Sequence, residues 1–446
     1  MTVFTVDPGH LEDLQWRPGE IGDAADLGHQ VWSVELKGGQ TPMVQHGSEQ
    51  VRAMRMITAG RLGFATSRTM SWQQLKEEAS RAAASGPETS MDEPVLESRS
   101  NSFIRSQWDP SMGSLMIERA HRLYAHLEGL ADNFRPAVSV TYHEIVTQLA
   151  NSNGGQTAWR HGYWGITAGG RCVDGTDFHG IAETQFGASE IPNVDDLFNA
   201  LQDRFLWGQK IQRVMSGQYP MVFLPSVVMG LLTPVLARLS GPALIAGNSA
   251  WEDQSDQRVL SPLLTLASDA TMPDGPRSAP FDDEGTPTDR WPLIDRGVLK
   301  HFVLDRDSSR RLGYEPLGMG YRATPNALPT SLPSNLVIEP NQATLGELLS
   351  RFPRMLVLNG WIGARPTNPL RGDIAGNASD LYFVDHGTVS GRVKNAVISI
   401  NAFEALSSQL AAVGEETRWV APGMMHTAPA KVPALLIDSV DVTVRR

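Results

Sequence analysis

Cysteine is almost missing from this chain. Cys172 is the single thiol, which excludes an internal disulfide and any thiolate-dominated metal site within one chain. Runs of positive charge are missing too: the formal charge is −11, and backbone phosphate binding needs a concentrated basic face, so nucleic acid is not the expected ligand. No apolar run is long and uninterrupted enough to suggest a membrane span. The longest, MVFLPSVVMGLLTPVLARL at 221–239, carries two prolines and Arg238 near its end, and reads as a buried segment of a soluble protein. The first residues, MTVFTVDPGHLEDLQW, have neither a basic n-region nor an apolar core, so a cytoplasmic location is expected. A second metal histidine is also missing. His143-Glu144 is followed by Thr147 and Gln148 where a zinc-hydrolase helix would place another imidazole.

What is present is ordinary for a soluble globular protein, with 41% hydrophobic and 20% charged residues over 446 positions. That length predicts two or three domains at about 150 residues each. VWSVELKG, then VRAMRMITAGRLGFATS, read as a strand meander with turns at Gly38-Gly39 and Ala59-Gly60. Ser71 and Gln74 stand at capping-box spacing before a helix that stops at Gly86-Pro87. Met112, Met116, Leu123, Leu127 and Leu130 mark a second helix with a core-facing stripe. Residues 138–147 are rich in β-branched and aromatic side chains and predict a strand, on which His143 and Glu144 point to opposite faces and cannot share a metal.

Asn193 is a candidate N-cap for a helix over about 194–215, ending at Ser216-Gly217. The boundary between an N-terminal half (1–216) and a C-terminal half (217–446) is placed there. The second half reads as short strands with helices near 226–239 and 343–352, and Asp385-His386-Gly387 is a hairpin candidate. The fold class expected is α+β: a mixed α/β first half and a mainly antiparallel β second half.

Several constellations invite a chemical reading. His161, Cys172 and His179 match no tight ligand spacing. AGNSAW is not a nucleophile elbow, and AGGRCVDG and LGMGYR are not phosphate loops. Trp159, Trp164, Trp251 and Trp361 line either a peptide groove or the core. Asp282, Asp283 and Glu284, beside a Gly-Thr-Pro-Thr turn, suit metal or amine recognition, but a solvated loop is the simpler reading.

The block FDDEGTPTDRWPLIDRGVLKHFVLDRDSSRRLGYEPLGMGYR (281–322) nevertheless resembles the TldD/PmbA family, a peptidase-related group also labelled modulators of DNA gyrase. Six further pieces match in order: AGRLGFATS, LANSNGG, the segments 216–225 with 239–269, LPSNLVIEP, NPLRGD and ISINAFEAL. The resemblance implies a two-domain α+β fold and a pair of related subunits. The TldD-like subunit carries His-Glu-x-x-x-His on a helix and a cysteine near its C-terminus; its partner, TldE or PmbA, lacks them.

The corresponding helix here, 224–239, contains no histidine, glutamate, aspartate or cysteine. The C-terminal region has Met424, Met425 and His426 where the cysteine is expected. The chain therefore resembles the PmbA/TldE branch. The implied role is a non-catalytic subunit of a zinc metallopeptidase, without zinc of its own, holding peptide beside a zinc-bearing TldD-like partner. A homodimer in the partner's absence stays open. Candidate groove residues are Asp282, Asp283, Glu284, Arg322, Asn368, Arg371 and Asp373, with purely structural turn chemistry as the alternative. Two rival roles remain: cleavage, with a partner, of an amide-type bond in natural-product biosynthesis, or regulation by binding. Pro234 is expected to kink or interrupt the helix.

Overall fold

In a computed structural model, residues 11–445 are described except 12, 40, 90–102, 105–107, 175–176, 189, 365, 367 and 421–427. Met424, Met425 and His426 thus lie outside the described residues. The chain begins with the expected meander, β1 (Ile21–Lys37), β2 (Met43–Thr58) and β3 (Arg61–Ser67). Ala59 and Gly60 both take positive φ at the β2–β3 turn, the geometry a two-residue hairpin needs to match strand twist. Then come α1 (Trp72–Ala83), β4 (Phe103–Ile104), α2 (Ser111–Glu128), β5 (Phe134–Asn151), β6 (Gln156–Asp174), β7 (Asp177–Gly187) and α3 (Val194–Trp207). The strands form one sheet in the order β3-β2-β1-β5-β6, with β4 and β7 both pairing with β6.

Strand parity gives this sheet two different faces. Even-numbered residues of β1 and β5, such as Val34, Val140 and Tyr142, pack under α2 and α3 with Met116, Leu123 and Leu201. Ala24 and Ala150 meet α1 through Leu75 and Ala79. Odd-numbered residues look the other way: Leu27, Leu149 and Trp159 pack against Ala279 and Phe281 of the second half. The capping box of α1 forms as expected, with Ser71 and Gln74 exchanging bonds. The expected extent of α3 does not hold, because the helix closes at Gly208 rather than at Ser216.

The second sheet starts with β8 (Ile211–Gln212), so the chain crosses between sheets at residues 208–210, just ahead of the Ser216-Gly217 signal. It continues through β9 (Gly217–Phe223), α4 (Pro225–Leu239), α5 (Gly241–Ile245), β10 (Leu266–Asp269), β11 (Arg290–Asp295), β12 (Val298–Leu299), α6 (Arg306–Leu312), β13 (Gly320–Arg322), β14 (Pro329–Ser331), β15 (Leu336–Ile338) and α7 (Leu345–Ser350). It ends with β16 (Arg354–Ile362), β17 (Asp373–Asp385), β18 (Thr388–Val393), β19 (Ala396–Asn401), α8 (Ala402–Leu406), β20 (Leu410–Val420) and β21 (Ala430–Val444). The strand order is β12-β11-β10-β15-β21-β9-β16-β17-β18-β8, with β19 joining β17 to β21 and β20 pairing with β21; β13 and β14 form a separate ribbon.

Most pairings in this second sheet are antiparallel; β15 with β21, β9 with β16 and β8 with β18 are parallel. His386 and Gly387 make the predicted hairpin between β17 and β18 with positive φ. The apolar tract 221–239 is the end of β9 followed by α4, and Val228, Leu231, Leu232 and Val235 are buried against Leu356, Leu358 and Leu435. The expected interruption at Pro234 does not occur: α4 runs through it to Leu239. The ring removes the donor that would serve the Gly230 carbonyl, but the buried apolar packing around it holds the helix together. The whole is α+β, as the sequence predicts. No described helix is long and apolar enough to cross a membrane.

Candidate functional site

The acidic block is not a solvated loop, which corrects the simpler sequence reading. Asp282 is 1% exposed and Glu284 5%. Asp282 accepts backbone N–H bonds from Glu284 (3.0 Å), Thr286 (2.8 Å) and Gly320 (2.8 Å). It therefore closes its own turn and ties it to β13. Burial, then the Glu284 charge, push its carboxyl well above the ordinary value against those donors. Asp283 accepts the Arg322 backbone N–H at 2.7 Å.

Glu284 reaches across to the first sheet, where its Oε1 takes Arg55 Nη1 at 2.6 Å, and its Oε2 accepts the Arg306 N–H at 2.7 Å. Arg55 is also paired with Asp23 at 2.7 Å. Burial works against its charge, but the Asp23 and Glu284 carboxylates outweigh it and raise the pKa. The three acids thus have separate tasks: a turn, a strand clamp and a bridge between sheets.

Beside this network, the two halves line a half-open cavity of about 260 Å³. The odd face of the first sheet supplies His29 from β1, Ile145 from β5, Trp159, His161 and Tyr163 from β6, and Phe186 from β7. The second half supplies Arg277 and Phe281 from the loop before the acidic turn, Asp283 within it, and Tyr321 and Arg322 from β13. Trp419 and Val420 at the end of β20 complete the lining with Pro429.

Burial disfavours the charged form of two imidazoles here. His29 Nε2 and His143 Nδ1 lie 3.1 Å apart, and His143 stacks on Tyr163 with ring centroids 4.6 Å apart. Burial and then the neighbouring His29 depress His143 to about 3, and burial lowers His29. Burial also pushes the Tyr163 phenol up to about 12. The cations are the guanidiniums. Arg322 is 6% exposed, donates Nη1 to the Ala327 carbonyl at 2.5 Å, and is lowered to about 10 by burial and then by Arg55. Its buried Nε has no hydrogen-bond partner among the described residues, and neither has Arg277 Nη1. Arg277 sits with its guanidinium 5.4 Å from the Tyr321 ring centroid.

Of the predicted site residues, the structure brings Asp283 and Arg322 together at this cavity and places Asp282 and Glu284 behind it. Asn368, Arg371 and Asp373 lie elsewhere. Asn368 accepts the Leu370 N–H in a local turn, while Asn401 Nδ2 donates to the Arg371 carbonyl at 2.9 Å and to Asp373 at 2.8 Å. Arg238 of α4 donates to the Leu370 carbonyl, so this loop packs at the far end of that helix as turn chemistry. His161 reaches the cavity lining without Cys172 or His179, and of the four tryptophans weighed only Trp159 does so. His29, Tyr163, Arg277 and Tyr321 were missed. The signal for the first two was strand parity once β1, β5 and β6 were known as neighbours.

The profile of the PmbA/TldA metallopeptidase C-terminal domain matches residues 216–444, half of the chain. The chain belongs to the PmbA/TldD family. An uncharacterised protein of Methanocaldococcus jannaschii is 27% identical over 200 residues, 43% of this chain and 45% of that protein. The match thus spans less than half of that relative's length. A protein of Synechocystis named metalloprotease is 23% identical over 403 residues, 86% of this chain and 85% of its own. In fold, the crystal structure of TldE from Thermococcus kodakarensis superposes with a TM-score of 0.82 at 20% identity, covering 95% of this chain and 97% of TldE.

A family named for metallopeptidases implies a metal, and α4 does not fit one. Its residues, Pro225–Leu239, include no carboxylate, imidazole or thiol. Among the described residues no three His, Cys, Asp or Glu side chains gather as a metal-holding group.

Proposed function

We propose that this PmbA/TldD-family chain is a TldE-like subunit without a zinc site of its own, which completes the peptide-binding chamber of a zinc-bearing TldD-like partner. The observation that carries the reading is α4. It lies within the family-matched segment, has no metal-donor side chain, and buries Val228, Leu231, Leu232 and Val235 in the core. Zinc hydrolysis takes about three protein ligands and an open position for water. An apolar helix cannot supply them. The metalloprotease names of the relatives and the likeness to a TldE structure support placing the chemistry on a second, cytoplasmic subunit that meets peptide together with this one.

The test is to purify the chain alone and together with a neighbouring gene product carrying His-Glu-x-x-x-His, and to measure zinc and peptide cleavage for each. The reading expects no stoichiometric zinc in the lone chain, a stable complex, and chelator-sensitive cleavage only in the complex. Stoichiometric zinc with chelator-sensitive cleavage in the lone chain would overturn it.

A further inference from the structure

We propose that the cavity between the two sheets is a binding site for a carboxylate carried on an aromatic or branched apolar group, the chemistry shared by the C-terminal residue of a peptide and a free apolar amino acid. The site needs only this chain, so it stands or falls separately from the partner reading.

Three observations lead there. First, the walls are apolar and large: Trp159, Phe186, Ile145 and Phe281 offer surface for a ring or branched side chain. Second, the polar groups in that wall are selectively cationic. Arg277 and Arg322 face one carboxylate, Asp283, and His29 has its pKa lowered by burial, as does the His143 beside it. The two guanidiniums in the lining thus outnumber its one carboxylate.

Third, each guanidinium has a buried N–H, Arg322 Nε and Arg277 Nη1, without a partner among the described residues. Buried donors are normally satisfied, and an orphan costs the desolvation that a partner would repay. A carboxylate oxygen is the acceptor that guanidinium N–H groups match best. The two cations are also held in place from behind. Arg277 donates its backbone N–H to Asn335 Oδ1 at 2.9 Å, and Arg322 is fixed by the Asp283 and Ala327 bonds. The cavity volume of about 260 Å³ suits one side chain with its carboxylate. An extended peptide would have to leave through an opening.

The test uses the full chain and calorimetric titration, with tryptophan fluorescence as a second readout because Trp159 and Trp419 line the site. The probes are N-acetyl-phenylalanine and its primary amide, then phenylalanine and Gly-Gly-Phe. The acid is expected to bind at least about 10-fold more tightly than the amide, the size of one charge-assisted bond. Arg277→Gln is expected to lower acid affinity by a similar factor at an unchanged melting temperature, and Arg277→Lys to restore part of it. Arg322→Gln, checked for folding by near-UV circular dichroism, is expected to do the same. Tighter Gly-Gly-Phe assigns the site to peptide ends, and tighter phenylalanine to free amino acids; either supports the proposal. Equal affinity for acid and amide, no saturable acid binding to the folded chain, or an Arg277→Gln variant with unchanged preference overturns it.

Discussion

Arg55 and Glu284 lie 229 residues apart in sequence and share a buried ion pair at 2.6 Å. Their bond joins the second strand of the first sheet to the acidic turn of the second, and Asp23 pairs with the other side of the same guanidinium. Removing one partner of a buried pair strands the other charge. Arg55→Met is therefore expected to destabilise the chain by about 3–5 kcal/mol. The double variant Arg55→Met with Glu284→Met should cost less than the two single changes added together. Urea denaturation of all four proteins measures that coupling.

The His29–His143 pair predicts a pH dependence. The folded pKa of His143 is depressed from 6.5 to about 3, by burial first and His29 second. The unfolded chain therefore binds the proton more readily between those values. The contribution is fully present above pH 6.5 and is lost progressively as pH falls toward about 3. Each unit of pH in that window costs up to about 1.4 kcal/mol for this one group. His143→Phe keeps the stack on Tyr163 and should flatten the fall in stability between pH 6.5 and 5. A variant with the wild-type slope would show that the imidazole is not held neutral.

Gly63 on β3 lies flat against α1. A Cβ there would sit 1.8 Å from the Ala79 carbonyl oxygen and 2.6 Å from the Ala83 nitrogen, both backbone atoms. Helix and strand must separate to admit even one methyl. Gly63→Ala is expected to cost at least about 2 kcal/mol, read as a lower melting temperature, while Gly60→Asn in the adjacent turn, where φ is positive but a Cβ meets no neighbour, should cost less, about 1 kcal/mol.

Asn335 is fully buried and donates Nδ2 to the Asp269 carbonyl at 2.7 Å and to Ser278 Oγ at 2.9 Å, while accepting the Arg277 N–H. Asn335→Ala should cost about 3 kcal/mol through the groups it leaves unpaired. It should also weaken N-acetyl-phenylalanine binding, because Arg277 loses its anchor. A stability loss with unchanged binding would separate the scaffold from the cavity.

Local signals were legible wherever the chain's own neighbours set the structure. Ser71 with Gln74, Ala59-Gly60 and His386-Gly387 each specify a cap or turn through contacts within four residues, and all three formed. The end of α3 was less so. The sequence predicts a helix running to Ser216-Gly217, whereas Gly208 closes it by donating its N–H to the Arg204 and Phe205 carbonyls. Pro234 misled because its local penalty is set against packing from β16 and β21, which a single segment does not reveal.

The sequence by itself determined the α+β class, the starts of α1 and α3 at their caps, the opposite orientation of His143 and Glu144, and the absence of any metal donor on α4. Each follows from residue type and backbone period. Only the tertiary structure decided that Asp282 and Glu284 are buried and Asp283 half-buried in three separate roles, that Asn368, Arg371 and Asp373 belong to another corner, and that His29, Tyr163, Arg277 and Arg322 share one cavity. Those outcomes depend on which strands become neighbours and which sheet face meets the second half. A side chain's burial and partners come from residues hundreds of positions away, and no local pattern carries that distance.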